Sequence, residues 1–224
     1  MGLRGHGCRR LCARLLSHAP RVAQSFAHLA SRFSRSGSVL RSPEPRRHPS
    51  KAELLAAAGR GIHDIIAPDL RVLFCGINPG LYSAAVGHHF ARPGNRFWPA
   101  LHRSGFTDRQ LHPSEERVLL ELGFGITNLV ARSSASAAEL TNAEYIAGAR
   151  RLKRKALRYR PAWIAFVGVG AYRIAFGKRR AGFGAQDDML GPSRLWVLPS
   201  TSGLNANHHL PELTVAFREL REAA

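Results

Sequence analysis

Cysteine and long apolar runs are both scarce in this chain. Among its 224 residues are only three cysteines, Cys8, Cys12 and Cys75. Three cysteines exclude a disulfide framework and fall short of the four thiolates usual for an iron–sulfur cluster. We expect Cys75 to pack in a strand as a small buried side chain. No apolar stretch is long enough to cross a bilayer.

Acidic residues are also few: 15 Asp and Glu stand against 33 Lys and Arg, which gives a net charge of +18. Such an excess favours a polyanionic partner, whether DNA, ribosomal RNA or an anionic membrane surface. Charge alone does not choose among these partners. The part of the chain after residue 50 has 23 basic and 14 acidic residues, a net charge of +9, so the basic character extends beyond the N-terminal region.

The composition changes at about residue 50. Residues 1–50 contain ten arginines and a single acid, Glu44. This composition is typical of an organellar transit peptide, but a basic disordered arm that binds DNA and an upstream extension not made in the cell both stay open. Three prolines in the eight residues 42–49 indicate a linker. We expect residues 51–61 to lead into a domain over 62–222, in an organelle if the leader is a transit peptide, and otherwise in a nucleus or bacterial cytoplasm.

Short apolar strands and amphipathic helices alternate along the domain. We expect Ser114 to cap its helix, and Thr141 or Asn142 to cap the long one. The alternation predicts an α/β fold of three layers, a mostly parallel sheet covered by helices on both faces. The predicted strands are Arg71–Cys75, Ile126–Leu129, Trp163–Val169 and Leu195–Leu198, and the predicted helices are Asn95–Ser104, Ser114–Leu122, Asn142–Tyr159, one from Ala171 and Leu210–Arg221.

The most informative motif is Gly76-Ile77-Asn78-Pro79-Gly80, which directly follows an apolar strand. In open α/β sheets, ligands bind at the carboxyl ends of the strands. Pro79 restrains Asn78 to an extended backbone, and the flanking glycines allow a tight turn. The Asn78 amide is therefore presented at the sheet edge, where it can accept a hydrogen bond from a water molecule and donate one to it.

Four further motifs follow in order, and together they resemble the mismatch-specific uracil/thymine DNA glycosylases, in both the bacterial uracil form and the vertebrate thymine form. The resemblance extends from about Ile62 to Glu222. It implies a uracil-DNA-glycosylase-like fold and hydrolysis of a C1′–N bond after the nucleotide is flipped out of the duplex. The motifs are LYSAAVGHHFARPGNRFW at 81–98, GFTDRQL at 105–111, GITNLV at 125–130 and LPSTSGL at 198–204.

The resemblance implies roles for individual residues around the flipped base. Asn78 would position the attacking water, and because an amide is not basic, we expect slow chemistry limited to good leaving groups. Phe90 would stack on the pyrimidine. Backbone groups near Ile77 would bind the edge of the base, as would the amide of Asn128. His89 would lie near the leaving base or the water.

Two other elements bear on specificity. The Ser83 hydroxyl could crowd the 5-methyl group of thymine, which would favour uracil. The loop with Gly203, Leu204 and Asn205 matches the segment that enters the duplex, with Leu204 as the wedge between bases. The bacterial pattern has an arginine near Ala206. A methyl group there weakens the case for a strict guanine requirement opposite the lesion.

Two motifs invite other interpretations. The pair His88-His89 suggests a metal, yet no Asp, Glu or Cys lies at a suitable ligand spacing. His208-His209 is most simply a surface pair before a helix, available to touch phosphate, and we expect no metal and no cofactor. The run 150–160 has seven basic residues in eleven. A helix with such a run usually has a solvated face, and we expect it to contribute long-range attraction to DNA rather than specific contacts.

We therefore expect a monomeric, monofunctional glycosylase that acts on double-stranded DNA with a mismatched or damaged pyrimidine and has no membrane partner. The substrate would be uracil, with thymine and etheno-cytosine as further candidates. No lysine matches a Schiff-base nucleophile, so the product would be an abasic site left to downstream repair enzymes. Two alternatives stay open: a catalytically weak lesion- or mismatch-binding module of the same fold, and an organellar RNA-binding protein.

Overall fold

A computed structural model describes residues 48–224 of the chain. The expectations about the leader and most of the linker concern residues 1–47 and so lie outside the described residues. Within residues 48–224, no helix is both long and apolar enough to cross a membrane. Residues 51–61, expected only to lead into the domain, begin with a short helix that Ser50 and Glu53 cap reciprocally.

The centre of the fold is a five-stranded sheet with the strand order β2-β1-β3-β5-β4. Four neighbouring strands run parallel, and β4 pairs antiparallel with β5 at the edge. The register aligns Gly76 of β1 with Asn128 of β2, so both strands end side by side. The strands are β1 Val72–Gly76, β2 Phe124–Asn128, β3 Trp163–Val167, β4 Gly184–Leu190 and β5 Ser193–Leu198.

Seven α-helices and two 3₁₀ turns surround this sheet within the described residues. The longest helix, α5, has the predicted bounds, and the Thr141 hydroxyl accepts from the Glu144 backbone N–H at its start, at 3.3 Å. The helices are α1 Lys51–Ala56, α2 Leu81–Val86, α3 Phe97–Arg103, α4 Val118–Glu121, α5 Asn142–Tyr159, α6 Val169–Phe176 and α7 Leu210–Ala223, and the 3₁₀ turns are Pro113–Glu115 and Ala137–Glu139.

The two faces of the sheet form separate apolar cores, because successive side chains of a strand point to opposite faces. In β1, Val72 and Phe74 pack with helices α3 and α7, whereas Leu73 and Cys75 pack with α5 and α6. Strands β3 and β5 divide their side chains in the same way. The predicted three-layer α/β fold is confirmed.

One predicted helix is wrong. Residues Ser114–Leu122 do not form one helix capped by Ser114; a 3₁₀ turn capped by His112 precedes the short helix α4. Glu116 lies between the two elements, and its buried carboxylate accepts from the backbone N–H of His89.

The remaining differences are small or concern polar segments. Strand β3 ends at Val167, so helix α6 begins at Val169 rather than Ala171. Helix α3 begins at Phe97, two residues after its predicted start. Strand β4 was not predicted, because an edge strand with the sequence GAQDDML lacks an apolar run.

Candidate active site

A cavity of about 360 Å³ opens at the carboxyl ends of the parallel strands. Loops that follow β1, β2 and β5 form its walls, together with the segment between α2 and α3. Eight of the nine residues proposed from the sequence line it; Gly203 lies beside it in the β5–α7 loop. The eight are Ile77, Asn78, Ser83, His89, Phe90, Asn128, Leu204 and Asn205.

The Asn78 side chain is held in one orientation. Its Nδ2 donates to the Arg132 carbonyl at 3.1 Å and to Ser134 Oγ at 2.8 Å. Because a backbone carbonyl only accepts hydrogen bonds, the NH₂ end of the amide must face this loop. The Oδ1 atom has no hydrogen-bond partner among the described residues, and it is left as an acceptor in the cavity that Asn78 lines.

Ser134 and Arg132 were missed by the sequence analysis. The Ser134 hydroxyl donates to the Ser136 carbonyl at 2.7 Å, so it meets Asn78 with its lone pairs. Arg132 is itself fixed, because its guanidinium binds both carboxylate oxygens of Glu144. That contact lowers the pKa of Glu144 to about 2. The available signal was a stretch of small polar residues directly after an apolar strand.

Phe90 offers one aromatic face to the cavity. Its other face stacks on the buried Phe97 ring, with centroids 4.0 Å apart and planes 14° from parallel. The Phe90 backbone has φ of 52°, a left-handed conformation that is costly for a bulky residue. Gly76 lies beneath the ring, and a Cβ atom there would lie 3.2 Å from Phe90 Cζ and 2.5 Å from Asn128 Oδ1. Glycine at this position lets both side chains reach the cavity.

His89 is only 2% exposed and orients Asn128. Its Nε2 lies 3.0 Å from the His63 carbonyl and must be the protonated nitrogen, because the carbonyl only accepts. Burial lowers the pKa of His89, which favours the neutral ring. Its Nδ1 therefore accepts from Asn128 Nδ2 at 3.3 Å. The second amide hydrogen of Asn128 and its Oδ1 have no such partner among the described residues.

The segment between Gly87 and Ala91 is held by two buried polar side chains. Ser83 Oγ accepts from the Ala91 N–H at 3.1 Å. The Glu116 carboxylate accepts from the His89 N–H at 2.8 Å and lies 3.0 Å from Nδ1 of His88. Glu116 was not singled out from the sequence, and its 6% exposure marks it as a structural anchor of the pocket wall.

The loop after β5 presents an apolar side chain to solvent. Leu204 is 72% exposed. Asn205 shapes the loop, because its Nδ2 donates to the Ser200 carbonyl at 3.0 Å and its Oδ1 accepts from the Asn207 N–H at 3.1 Å. Gly203 packs closely against the backbone of Gly94. A Cβ atom on Gly203 would lie 2.8 Å from the Gly94 carbonyl oxygen.

Other reactive groups are occupied elsewhere. Asp64 accepts from Lys155 at 2.6 Å and from Thr127 at 2.7 Å. Burial raises the pKa of the Cys75 thiol to about 12.

Residues 48–224 contain no cluster of three His, Cys, Asp or Glu side chains that could hold a metal. His209 caps helix α7 together with Glu212. The cavity is thus lined by amides, hydroxyls and an aromatic ring, with no carboxylate among its lining residues.

A mostly parallel α/β sheet with a polar cavity at the carboxyl ends of its strands is the usual arrangement of a ligand-binding site in this class of fold. The model of the uracil DNA glycosylase superfamily matches residues 63–221, well over half of the chain. The chain belongs to this superfamily, which indicates a hydrolase that acts on the N-glycosyl bond of uracil in DNA.

Solved structures similar to this chain include one of low sequence identity. It is the solution NMR structure of a candidate uracil DNA glycosylase from Methanosarcina acetivorans, 20% identical to this chain. The match covers 73% of this chain and 98% of the other, with a TM-score of 0.49.

Proposed function

We propose that residues 62–222 form a mismatch-type uracil/thymine DNA glycosylase, monofunctional and active on double-stranded DNA. The observation that supports this best is the oriented amide of Asn78, whose NH₂ end is bound by Arg132 and Ser134. Its Oδ1 has no hydrogen-bond partner among the described residues, and Asn78 lines the cavity that would receive a flipped base. An acceptor held in this way can orient a water molecule for attack at C1′ without removing a proton from it.

The cavity walls suit the other requirements of the reaction. The free face of Phe90 provides a stacking surface for a pyrimidine, and Asn128 has a donor and an acceptor available for the edge of the base. A flipped base that fills the cavity would displace water from it, which would strengthen hydrogen bonds to the anionic leaving base. No organic cofactor or metal enters this scheme.

The absence of a carboxylate among the cavity-lining residues limits the chemistry. Without a general base, water must attack a sugar that already has oxocarbenium character, which requires a stable leaving anion. Uracil in mismatched pairs is the substrate that fits best, and thymine and etheno-cytosine are weaker candidates. Because Ala206 has only a methyl group near the displaced partner base, we expect a graded preference for guanine rather than a strict one.

The deciding experiment is single-turnover excision from labelled duplexes with G·U, A·U and G·T sites, followed by alkali. Wild-type protein is expected to cleave at G·U, and Asn78→Ala to lose about 10²–10⁴-fold in rate. Asn78→Asp tests whether a carboxylate can replace the amide. Asn142→Ala, an exposed change at the start of α5, is the matched control and should retain full activity.

Two results would decide against the proposal. Near-wild-type activity of Asn78→Ala would remove its assigned role. A folded protein that binds these duplexes but excises no base would favour the catalytically weak binding module. Strand cleavage without alkali, or trapping of a covalent adduct with borohydride, would contradict the monofunctional assignment.

A further inference from the structure

The guanidinium of Arg96 lies under the loop that exposes Leu204. Its Nη2 atom donates to the Ser202 carbonyl and, at 2.8 Å, to the Asn205 carbonyl. Its Nη1 atom donates to the His208 carbonyl. The Arg96 backbone N–H also donates to the Thr201 carbonyl at 2.9 Å. One residue at the start of helix α3 thus binds four carbonyls of the loop between β5 and α7.

These carbonyls flank the wedge on both sides. Ser202 precedes Leu204 by two residues, and Asn205 follows it directly. A planar guanidinium has donors in a fixed fork and can satisfy several carbonyls at once, whereas a lysine ammonium is a single point. The sequence alone does not reveal this contact, because Arg96 and the loop are more than 100 residues apart.

No carboxylate among the described residues forms an ion pair with Arg96. Its Nε atom is buried without a hydrogen-bond partner there. Arg96 is partly buried, and removing part of a cation from water is costly unless hydrogen bonds replace the lost hydration. Here the hydrogen bonds of Arg96 hold a loop whose tip, Leu204, is 72% exposed.

We propose that Arg96 is a positioning residue that preorganises the wedge loop, so that Leu204 enters the duplex and holds the base stack open. Insertion of an apolar side chain is favoured by a rigid loop, because a mobile loop would have to lose conformational entropy when it enters the duplex. The inference rests on the proposed glycosylase function. It concerns opening of the base pair and leaves the groups at the C1′–N bond untouched.

The test compares two duplexes under single-turnover conditions: uracil opposite guanine, and uracil opposite a stable abasic-site analogue. The second duplex has no partner base to displace and needs the wedge less. Arg96→Lys and Leu204→Ala should each lose about 10–100-fold on the first duplex and less than about 3-fold on the second. Asn78→Ala should lose equally on both, and Arg103→Lys, an exposed arginine on the same helix, should lose nothing.

Gly203→Ala provides a second route to the same loop if Arg96→Lys does not fold. Its added Cβ would lie 2.8 Å from the Gly94 carbonyl and would displace the loop from its other side. We expect the same loss confined to the paired duplex and, in the double variant, little loss beyond that of the larger single change. An equal loss on both duplexes, or full activity of Arg96→Lys on G·U, would overturn the proposal.

Hydrogen exchange separates this inference from the proposed function. Without DNA, Arg96→Lys should accelerate exchange of the Leu204 and Asn205 amides about tenfold or more, and Arg103→Lys should not. Faster exchange together with a wild-type protein that excises nothing would remove the glycosylase proposal and retain a preorganised loop. Unchanged hydrogen exchange in Arg96→Lys would contradict the role of Arg96 in ordering the loop, whatever the excision activity.

Discussion

At the scale of single residues, the cavity depends on side chains that have only one chemically allowed orientation. The Arg132 carbonyl determines which end of the Asn78 amide faces it, and the His63 carbonyl determines the tautomer of His89. His89 in turn determines the orientation of Asn128. The unpaired acceptors and donors that result belong to residues that line the cavity, where a substrate could use them.

Ser83 allows a test of base selectivity at this scale. Its hydroxyl lines the cavity while it accepts from the Ala91 N–H. We expect wild-type protein to prefer G·U to G·T strongly, and Ser83→Ala to narrow that ratio about 10-fold because space opens for the 5-methyl group. Single-turnover rates on both duplexes measure the ratio.

Removing the hydroxyl also deletes one loop contact, so the thermal melting temperature serves as the control for Ser83→Ala. Equal wild-type rates on G·U and G·T would refute the selectivity hypothesis. A uniform loss on both duplexes in the variant would assign Ser83 to loop support alone.

At the scale of elements, the site is assembled where chain segments end. Strands β1 and β2 finish together at Gly76 and Asn128, and the loop after β2 returns to bind Asn78. The start of helix α5 secures that loop, because Glu144 caps the helix through Thr141 and also pairs with Arg132. Loss of the contact between Glu144 and Arg132 should therefore affect the cavity.

Glu144→Gln tests this connection. The amide retains an acceptor for the helix cap but loses the charge that binds Arg132. We expect a lower melting temperature at pH 7 and an excision rate several-fold lower, because the Arg132 carbonyl would hold Asn78 less firmly. Excision from G·U and thermal denaturation measure the two effects, and Glu219→Gln on α7 is the exposed control.

The pH dependence of this pair has a defined direction. Arg132 lowers the pKa of Glu144 from 4.5 to about 2 in the folded protein. The stabilisation is present above the unfolded pKa and is lost as the pH falls from about 4.5 towards about 2. The melting-temperature difference between wild type and Glu144→Gln should therefore shrink over that range. A difference that stays constant down to pH 2 would contradict the assignment.

At the scale of the whole molecule, the positive charge is spread well beyond the cavity. Helix α5 exposes Arg150, Lys153, Arg154 and Arg158, but its C-terminal end leads back to the amino end of β3, opposite the cavity. Arg92 is exposed on the cavity rim. Charge near the cavity should contact phosphates, whereas charge on α5 should contribute mainly long-range attraction.

Salt dependence distinguishes these contributions. With a G·U duplex and the Asn78→Ala background to prevent excision, Arg92→Ala should reduce the slope of log Kd against log salt by about 1. Arg154→Ala should weaken binding only slightly and change the slope by much less than about 1. Fluorescence anisotropy over a salt series measures both. An equal slope change for the two variants would place DNA contacts on α5.

Much of the fold was accessible from sequence because its signals are local. Apolar runs located β1 and β3, and the capped α5 had its predicted bounds. The Gly-Ile-Asn-Pro-Gly turn located Asn78 because a strand end and a proline restrict the chain in any context. Strand β4 and the break before α4 were missed, since an edge strand and a buried Glu116 depend on distant partners.

The sequence by itself determined the alternation of strands and helices, the excess of positive charge and the residue types available at the strand ends. Only the tertiary structure decided which way each amide points and which residues support it. Asn78 is bound by Arg132 and Ser134, which lie 54 and 56 positions away in the sequence. Asn205 is bound by Arg96, which lies 109 positions away. Hydrogen bonds of that separation are set by how sheet edges and loops converge, which no local pattern encodes.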